Sequence, residues 1–196
     1  MATAVVEGMS DEGAADAILR ACGLTTDRIL SLGGAGTLDQ RLLNYNRAAN
    51  ATGQLWLVIR DSDGHCPVIV RRQRLDPALQ SPRLSFRIAH SMIEAWLMAD
   101  ADSFVDYFMV AAKHLPTNPE NLPHAKRTLL SVVAKSKNRQ MRESVVKDAS
   151  TPGPQYAIQL RNFGASYWRP DVAANRSPSL ERALREIRTI AADGAV

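Results

Sequence analysis

Cysteine is nearly missing from this sequence: Cys22 and Cys66 are the only two in 196 residues. Two thiols build neither a disulfide framework nor a four-cysteine zinc site. Long apolar runs are missing too. No stretch approaches the ~18–20 residues that a membrane-spanning helix needs. The first ten residues lack the basic start and apolar stretch of a secretory signal, so a cytoplasmic location is the expectation. No internal repeat or low-complexity tract is present. These absences exclude a disulfide-stapled secreted mini-protein, a helical membrane protein and a zinc finger. What remains is an ordinary globular composition, 45% hydrophobic and 22% charged. A chain of this length buries about two thirds of its unfolded surface without a covalent or metal staple.

Charge is unevenly distributed. Residues 1–112 carry 10 basic and 13 acidic side chains, residues 113–196 carry 14 and 7, and all five lysines fall in the second part. A basic segment favours polyanions through counterion release, although a solvated helical surface is the plainer reading. The hydropathy pattern divides at the same place. Ala2–Val6 is a short β-favouring run, and Ser10 reads as the N-cap of a helix that stops at Gly23. Arg28–Leu32 reads as a second strand. Thr37 and Gln40 suggest a capping box for the next helix. Leu55–Arg60 is continuously apolar, as in a strand buried on both faces of a parallel sheet. A helix over Pro67–Arg74 and a strand over Leu84–Ala89 follow. This alternation predicts an α/β layer with crossover helices. Beyond Ser91 the pattern is helical, with segments at Met92–Ala99, Asp102–Ala112, Ala125–Lys135 and Asn138–Val146. A final helix is capped by Ser177 with Pro178 in its first turn. The expected organisation is an α/β core over 1–112 and a basic helical extension over 113–196, packed as one unit.

In open α/β sheets, functional groups gather at the carboxyl ends of the strands. Two such ends carry acids here: Glu7 after the first strand, and Asp61 and Asp63 after the third. In an extended chain the Asp-x-Asp spacing places two carboxylates on one side, about 7 Å apart. Hard oxygens of this kind suit Mg²⁺. Asp11, one helical turn beyond Gly8, offers another. Glu94 is a carboxylate inside an apolar helical run, a costly placement unless it is paired or holds a metal. An ion pair with Arg87 is its plainer explanation. Asp100 reads as a helix-end residue. Turn or cap chemistry alone explains many strand-ending acids. Their ordered combination is more specific.

The segments Val5-Val6-Glu7-Gly8-Met9-Ser10-Asp11 and Asp61-Ser62-Asp63-Gly64, placed as they are among the strands, resemble the two signatures of the Toprim domain. This metal-dependent catalytic fold is shared by topoisomerases, bacterial primases and OLD-type nucleases. The run from Arg87 to Asp100, with Gly153-Pro154-Gln155-Tyr156 and Ser177-Pro178-Ser179-Leu180, resembles a narrower group. That group comprises short stand-alone Toprim-like proteins often found beside an ATPase in anti-phage defence settings. The resemblance implies a Toprim-like Rossmannoid parallel sheet flanked by helices, with C-terminal helical additions. It also implies a Mg²⁺ or Mn²⁺ site held by Glu7, Asp11, Asp61 and Asp63. Glu7, as general acid/base or ligand, is then catalytic together with Asp61, Asp63 and Glu94.

A zinc-ribbon cysteine set is missing, which argues against a primase, and there is no room for a topoisomerase's tyrosine-bearing domain. Hydrolysis of a phosphodiester in DNA or RNA is the expectation that remains, with Lys135, Lys137 and Arg139 contacting the nucleic-acid backbone. A solvated helix end is the plainer reading of those three. The alternatives are an effector or regulatory subunit silent without a partner ATPase, a non-catalytic nucleic-acid-binding module, and a phosphatase on the same metal site. A homodimer is expected only because two-fold oligomers are common. Gly33-Gly34-Ala35-Gly36 lacks the lysine of a phosphate loop and reads as a strand-to-helix turn. His90 and Glu94 stand four apart, a spacing able to share a metal, but a polar edge on a core helix is the reading adopted. His65 and Cys66 form at best a weak soft-metal pair.

Overall fold

The computed structural model describes residues 1–148 and 150–194. Four strands, β1 (Ala2–Val6), β2 (Thr26–Ser31), β3 (Leu55–Asp61) and β4 (Leu84–Ala89), form one parallel sheet in the order β2-β1-β3-β4. Every residue of β1 is buried, as expected for a central parallel strand covered on both faces. The first crossover, α1 (Glu12–Ala21), leads from β1 to β2 on one side. The second, α2 (Ala35–Thr52), carries the chain back past β1 to β3 on the other. The connection therefore reverses direction between β1 and β3, the topological switch point where such sheets bind ligands.

Two apolar layers hold the sheet. One face packs against α2 and α3 (Pro67–Arg74) through Leu38, Leu42, Val58, Val70 and Phe86. The other meets α1 and most of the chain's second half: α4 (Ile93–Ala99), α5 (Ala101–Phe108), α6 (Ala125–Val133), α7 (Arg139–Val145), α8 (Tyr156–Ser166), α9 (Pro170–Ala174) and α10 (Pro178–Asp193). Trp96, Phe104, Leu129, Phe163 and Leu184 belong to this one core, so residues before and after 112 share it. Trp96 is fully buried and its indole N–H donates to Ser179 Oγ at 2.7 Å.

Most expected elements are present within a residue or two, but their starts differ in instructive ways. Met9–Asp11 forms a 3₁₀ turn ahead of α1, and the Ser10 hydroxyl bonds to Asp11 Oδ1 rather than capping the helix. Thr37 lies inside α2, which begins after Gly34; Gly33 and Gly34 have φ of +76° and +132°, values that favour glycine. Helix α8 falls where the sequence reading placed no element. It is fixed by backbone contact with α1: a Cβ on Gly13 would stand 1.9 Å from the Arg161 carbonyl oxygen, and one on Gly164 would stand 2.6 Å from the Ala14 nitrogen. Two glycines thus let the helices touch, and that contact brings the start of α8 to the carboxyl end of the sheet.

Candidate metal centre

Glu7, Asp11, Asp61, Asp63 and Glu94 line one pocket of about 340 Å³, together with Gly33, Gly34 and Lys126. Four separate elements deliver them. Glu7 follows β1, Asp11 closes the 3₁₀ turn, Asp61 ends β3, and Glu94 sits in the first turn of α4. The pocket lies at the switch point between β1 and β3.

Each of the three central acids is anchored through a single oxygen. Glu7 Oε1 accepts the Asp61 backbone N–H at 2.8 Å, and Asp61 Oδ1 accepts the Ile93 N–H at 2.9 Å. Glu94 Oε1 accepts the Tyr156 hydroxyl at 2.6 Å. Their second oxygens take no hydrogen bond from the described residues, and Glu94 Oε2 is fully buried in that condition. Asp11 differs: Ser10 Oγ and the Gly8 N–H, at 2.8 and 3.0 Å, occupy both of its oxygens.

The electrostatics follow from this crowding. Burial, then the charges of Glu94, Asp11 and Glu7, pushes Asp61 well above the usual carboxylate range. Burial first and Glu94 second raise Asp11 to about 7. Glu7 is raised by burial and by Asp63, against the lowering effects of the Asp61 N–H and Arg60. Tyr156 is raised by burial and by Glu94, which keeps its hydroxyl protonated as a donor. Like charges in a half-dry site favour neutralisation by protons or by a cation.

Two readings need correction. Asp61 and Asp63 are not side by side on an extended chain. The backbone turns after Asp61, with the Ser62 and Asp63 N–H groups donating to the Ser91 carbonyl, and Asp63 adopts a left-handed φ of +49°. Its carboxylate is consequently exposed, 3.9 Å from Arg60. Arg87 is not the partner of Glu94; it pairs with Glu186 from α10. His90, which was not expected to hold a metal, contacts Ser62 Oγ at 3.4 Å.

Lys135, Lys137 and Arg139 are exposed around the α6–α7 junction, and none lines the pocket; Arg139 pairs with Glu143 at 2.7 Å. The cation that does line it is Lys126, on the first turn of α6, with Nζ 4.9 Å from the Tyr156 ring centre. Sequence reasoning passed over Lys126, which looks like any lysine of an amphipathic helix. Tyr156 stood in a segment already notable for Gly-Pro-Gln-Tyr, but nothing in its own neighbourhood marked it as the partner of Glu94.

The donor set is chemically right for a hard divalent cation: acidic oxygens, one of them buried and unpartnered, with anchoring bonds that orient each ligand. Among the described residues, however, no three acidic, histidine or cysteine side chains are drawn together around a single point. The site is a ring of poised acids and not a closed cage. No protein-family model, curated protein or solved structure matches the chain.

Proposed function

We propose that this chain is a Mg²⁺-dependent phosphodiesterase acting on nucleic acid, a Toprim-like nuclease. The observation that carries the reading is the set of second oxygens of Glu7, Asp61 and Glu94, without partners among the described residues at the switch point of a parallel sheet. In this reading Asp61 and Glu94 hold Mg²⁺ through their second oxygens, Asp11 and Asp63 contribute further negative charge, and Glu7 is kept for proton transfer. Bound Mg²⁺ supplies Lewis-acid polarisation of a phosphoryl oxygen and charge neutralisation at the leaving group. Glu7, half-buried with a raised proton affinity, takes and returns the proton of the attacking group. Lys126 offsets charge on a non-bridging phosphate oxygen. The basic second half, including Lys135, Lys137 and Arg139, holds the backbone of the nucleic acid without reading its sequence. A cytoplasmic effector in anti-phage defence is the setting that the resemblance adds.

A second reading has its own observation. Because no three ligands converge in the described residues, a partner such as an ATPase would be needed to draw them together. The chain would then be a regulated effector, silent when alone.

The test is cleavage of plasmid, single-stranded DNA and tRNA with Mg²⁺ or Mn²⁺, comparing wild type with Asp61→Asn/Asp63→Asn. Cleavage lost in the double variant and in EDTA supports the nuclease and identifies its substrate. Cleavage retained by the variant overturns the assignment of the site. Mg²⁺ binding without cleavage, until an ATPase is supplied, favours the regulated effector.

A further inference from the structure

A second pocket, larger than the first at about 520 Å³, has the opposite charge character. It crosses the open edge of β4, between α3 on one face of the sheet and α10 on the other. Arg71 comes from α3, Arg87 from β4, and Arg182 and Arg185 from α10; Glu186 is the single carboxylate among them. Pro67, Val68 and Ile88 supply an apolar wall, of which Val68 is 58% exposed.

The arginines exceed the acid available to them. Glu186 pairs with Arg87, also accepts Ser85 Oγ at 3.1 Å, and stands 4.0 Å from Arg71. Arg71 gives one further bond, to Gln80 Oε1 at 3.0 Å. Arg185 pairs with Glu181 at 2.8 Å. Arg182 makes no ion pair among the described residues. The Nε atoms of both Arg71 and Arg87 are buried without a hydrogen-bond partner among the described residues. Arg87 is held below its usual proton affinity, by burial first, with Arg71 and Arg182 adding repulsion against the attraction of Glu186. Four guanidiniums against one carboxylate, with Arg71 and Arg182 repelling Arg87, leave the groove with an excess of positive charge that suits an anion.

We infer that this groove binds the phosphate monoester of a nucleotide, either free or as the terminal phosphate of a nucleic-acid chain. Several guanidiniums around one position match the two negative charges and forked oxygens of a phosphate monoester better than the single charge of a carboxylate. The volume is that of a small-molecule site, and the apolar wall offers a surface for the base or sugar. The assignment does not depend on the metal centre, since the two pockets share no lining residue.

Calorimetric titration of the full-length chain at low ionic strength, with EDTA present, tests it. The probes are inorganic phosphate, adenosine 5′-monophosphate, adenosine, and an oligonucleotide with and without a 5′-phosphate. The monophosphate should bind and adenosine should not. Arg182→Glu should weaken the monophosphate at least tenfold, and its exposed position without an ion pair leaves folding intact, as a thermal melt verifies. Glu186→Gln should tighten binding several-fold, while Asp61→Asn/Asp63→Asn should leave it unchanged. An oligonucleotide that competes with the monophosphate identifies the chain as the source, and one that is excluded identifies the free nucleotide. Failure of both phosphate and monophosphate to bind, or equal binding by Arg182→Glu, overturns the proposal without touching the metal centre.

Discussion

Two groups of buried acids in this protein are treated in opposite ways. Asp100 is fully buried, yet both of its oxygens are satisfied: Oδ1 by Arg169 Nη2 at 2.6 Å, Oδ2 by the Arg169 backbone N–H and Nε at 2.9 and 3.0 Å. Those bonds, outweighing burial, hold its proton affinity below the usual carboxylate range. Glu94, also buried, receives one tyrosine hydroxyl and no cation among the described residues, and its neighbours are further acids. A structural acid is compensated within the chain. Glu7, Asp61 and Glu94 at the switch point instead crowd one another without an ion pair among the described residues.

The sharpest way to break this contrast is to compare Asp61→Asn with Asp100→Asn. On the proposed nuclease reading, neutralising Asp61 should reduce Mg²⁺-dependent cleavage by ~10³-fold or more, measured as an initial rate, because that reading makes it a charged ligand. Asp100→Asn should leave the Mg²⁺ requirement unchanged. Equal losses of activity in the two variants would remove the distinction.

Next in size is the pH dependence of stability. Asp11 rises from the ordinary aspartate value of 3.8 to about 7 on folding, so the folded state binds its proton more tightly than the unfolded chain. Stability from this group is complete below about pH 4 and is lost as pH climbs through about 7. The loss amounts to as much as ~4 kcal/mol from this acid alone, by linkage. Urea unfolding without divalent ions should show the decline between pH 4 and 7. Asp11→Asn should flatten it, and Mg²⁺ should restore more stability at pH 8 than at pH 5.

A smaller effect belongs to the compensated acid. Asp100→Ala removes the N-cap of α5 and three bonds to Arg169, and should cost about 2–3 kcal/mol in urea unfolding at every pH between 5 and 8. A steep pH dependence in this variant would blur the comparison. The smallest effect sharpens it: Tyr156→Phe should cost about 1–2 kcal/mol in the metal-free protein, since it strips Glu94 of its one donor. The cost should shrink when Mg²⁺ is added, read as the difference between the two melting temperatures.

Much of the α/β layer was legible because its signals are local. The unbroken apolar run of β3, proline at the start of α3 and α10, and glycine after α1 are read within a few residues. The acids at the strand ends were legible for the same reason: a parallel sheet places them at one edge whatever the side-chain details. Helix α8 was not, because Gly13 and Gly164 lie far apart in sequence and signal helix contact only once they meet. The roles of Tyr156 and Lys126 were hidden likewise, since each depends on a neighbour from another element. The arginine groove draws on three elements on both faces of the sheet, so no single segment could announce it.

Sequence alone determined the class of layer, the positions of most elements and the identity of the acids at the carboxyl edge, because periodicity, capping and chain punctuation act over a turn or a strand. Tertiary structure decided which oxygens are anchored and which are left over, that Asp63 turns outward, that Arg87 answers Glu186 and not Glu94, and that four arginines face one carboxylate across the edge of β4. Those outcomes depend on distances of a few ångströms between groups far apart along the chain, and charge interactions at that range are set only when the core closes.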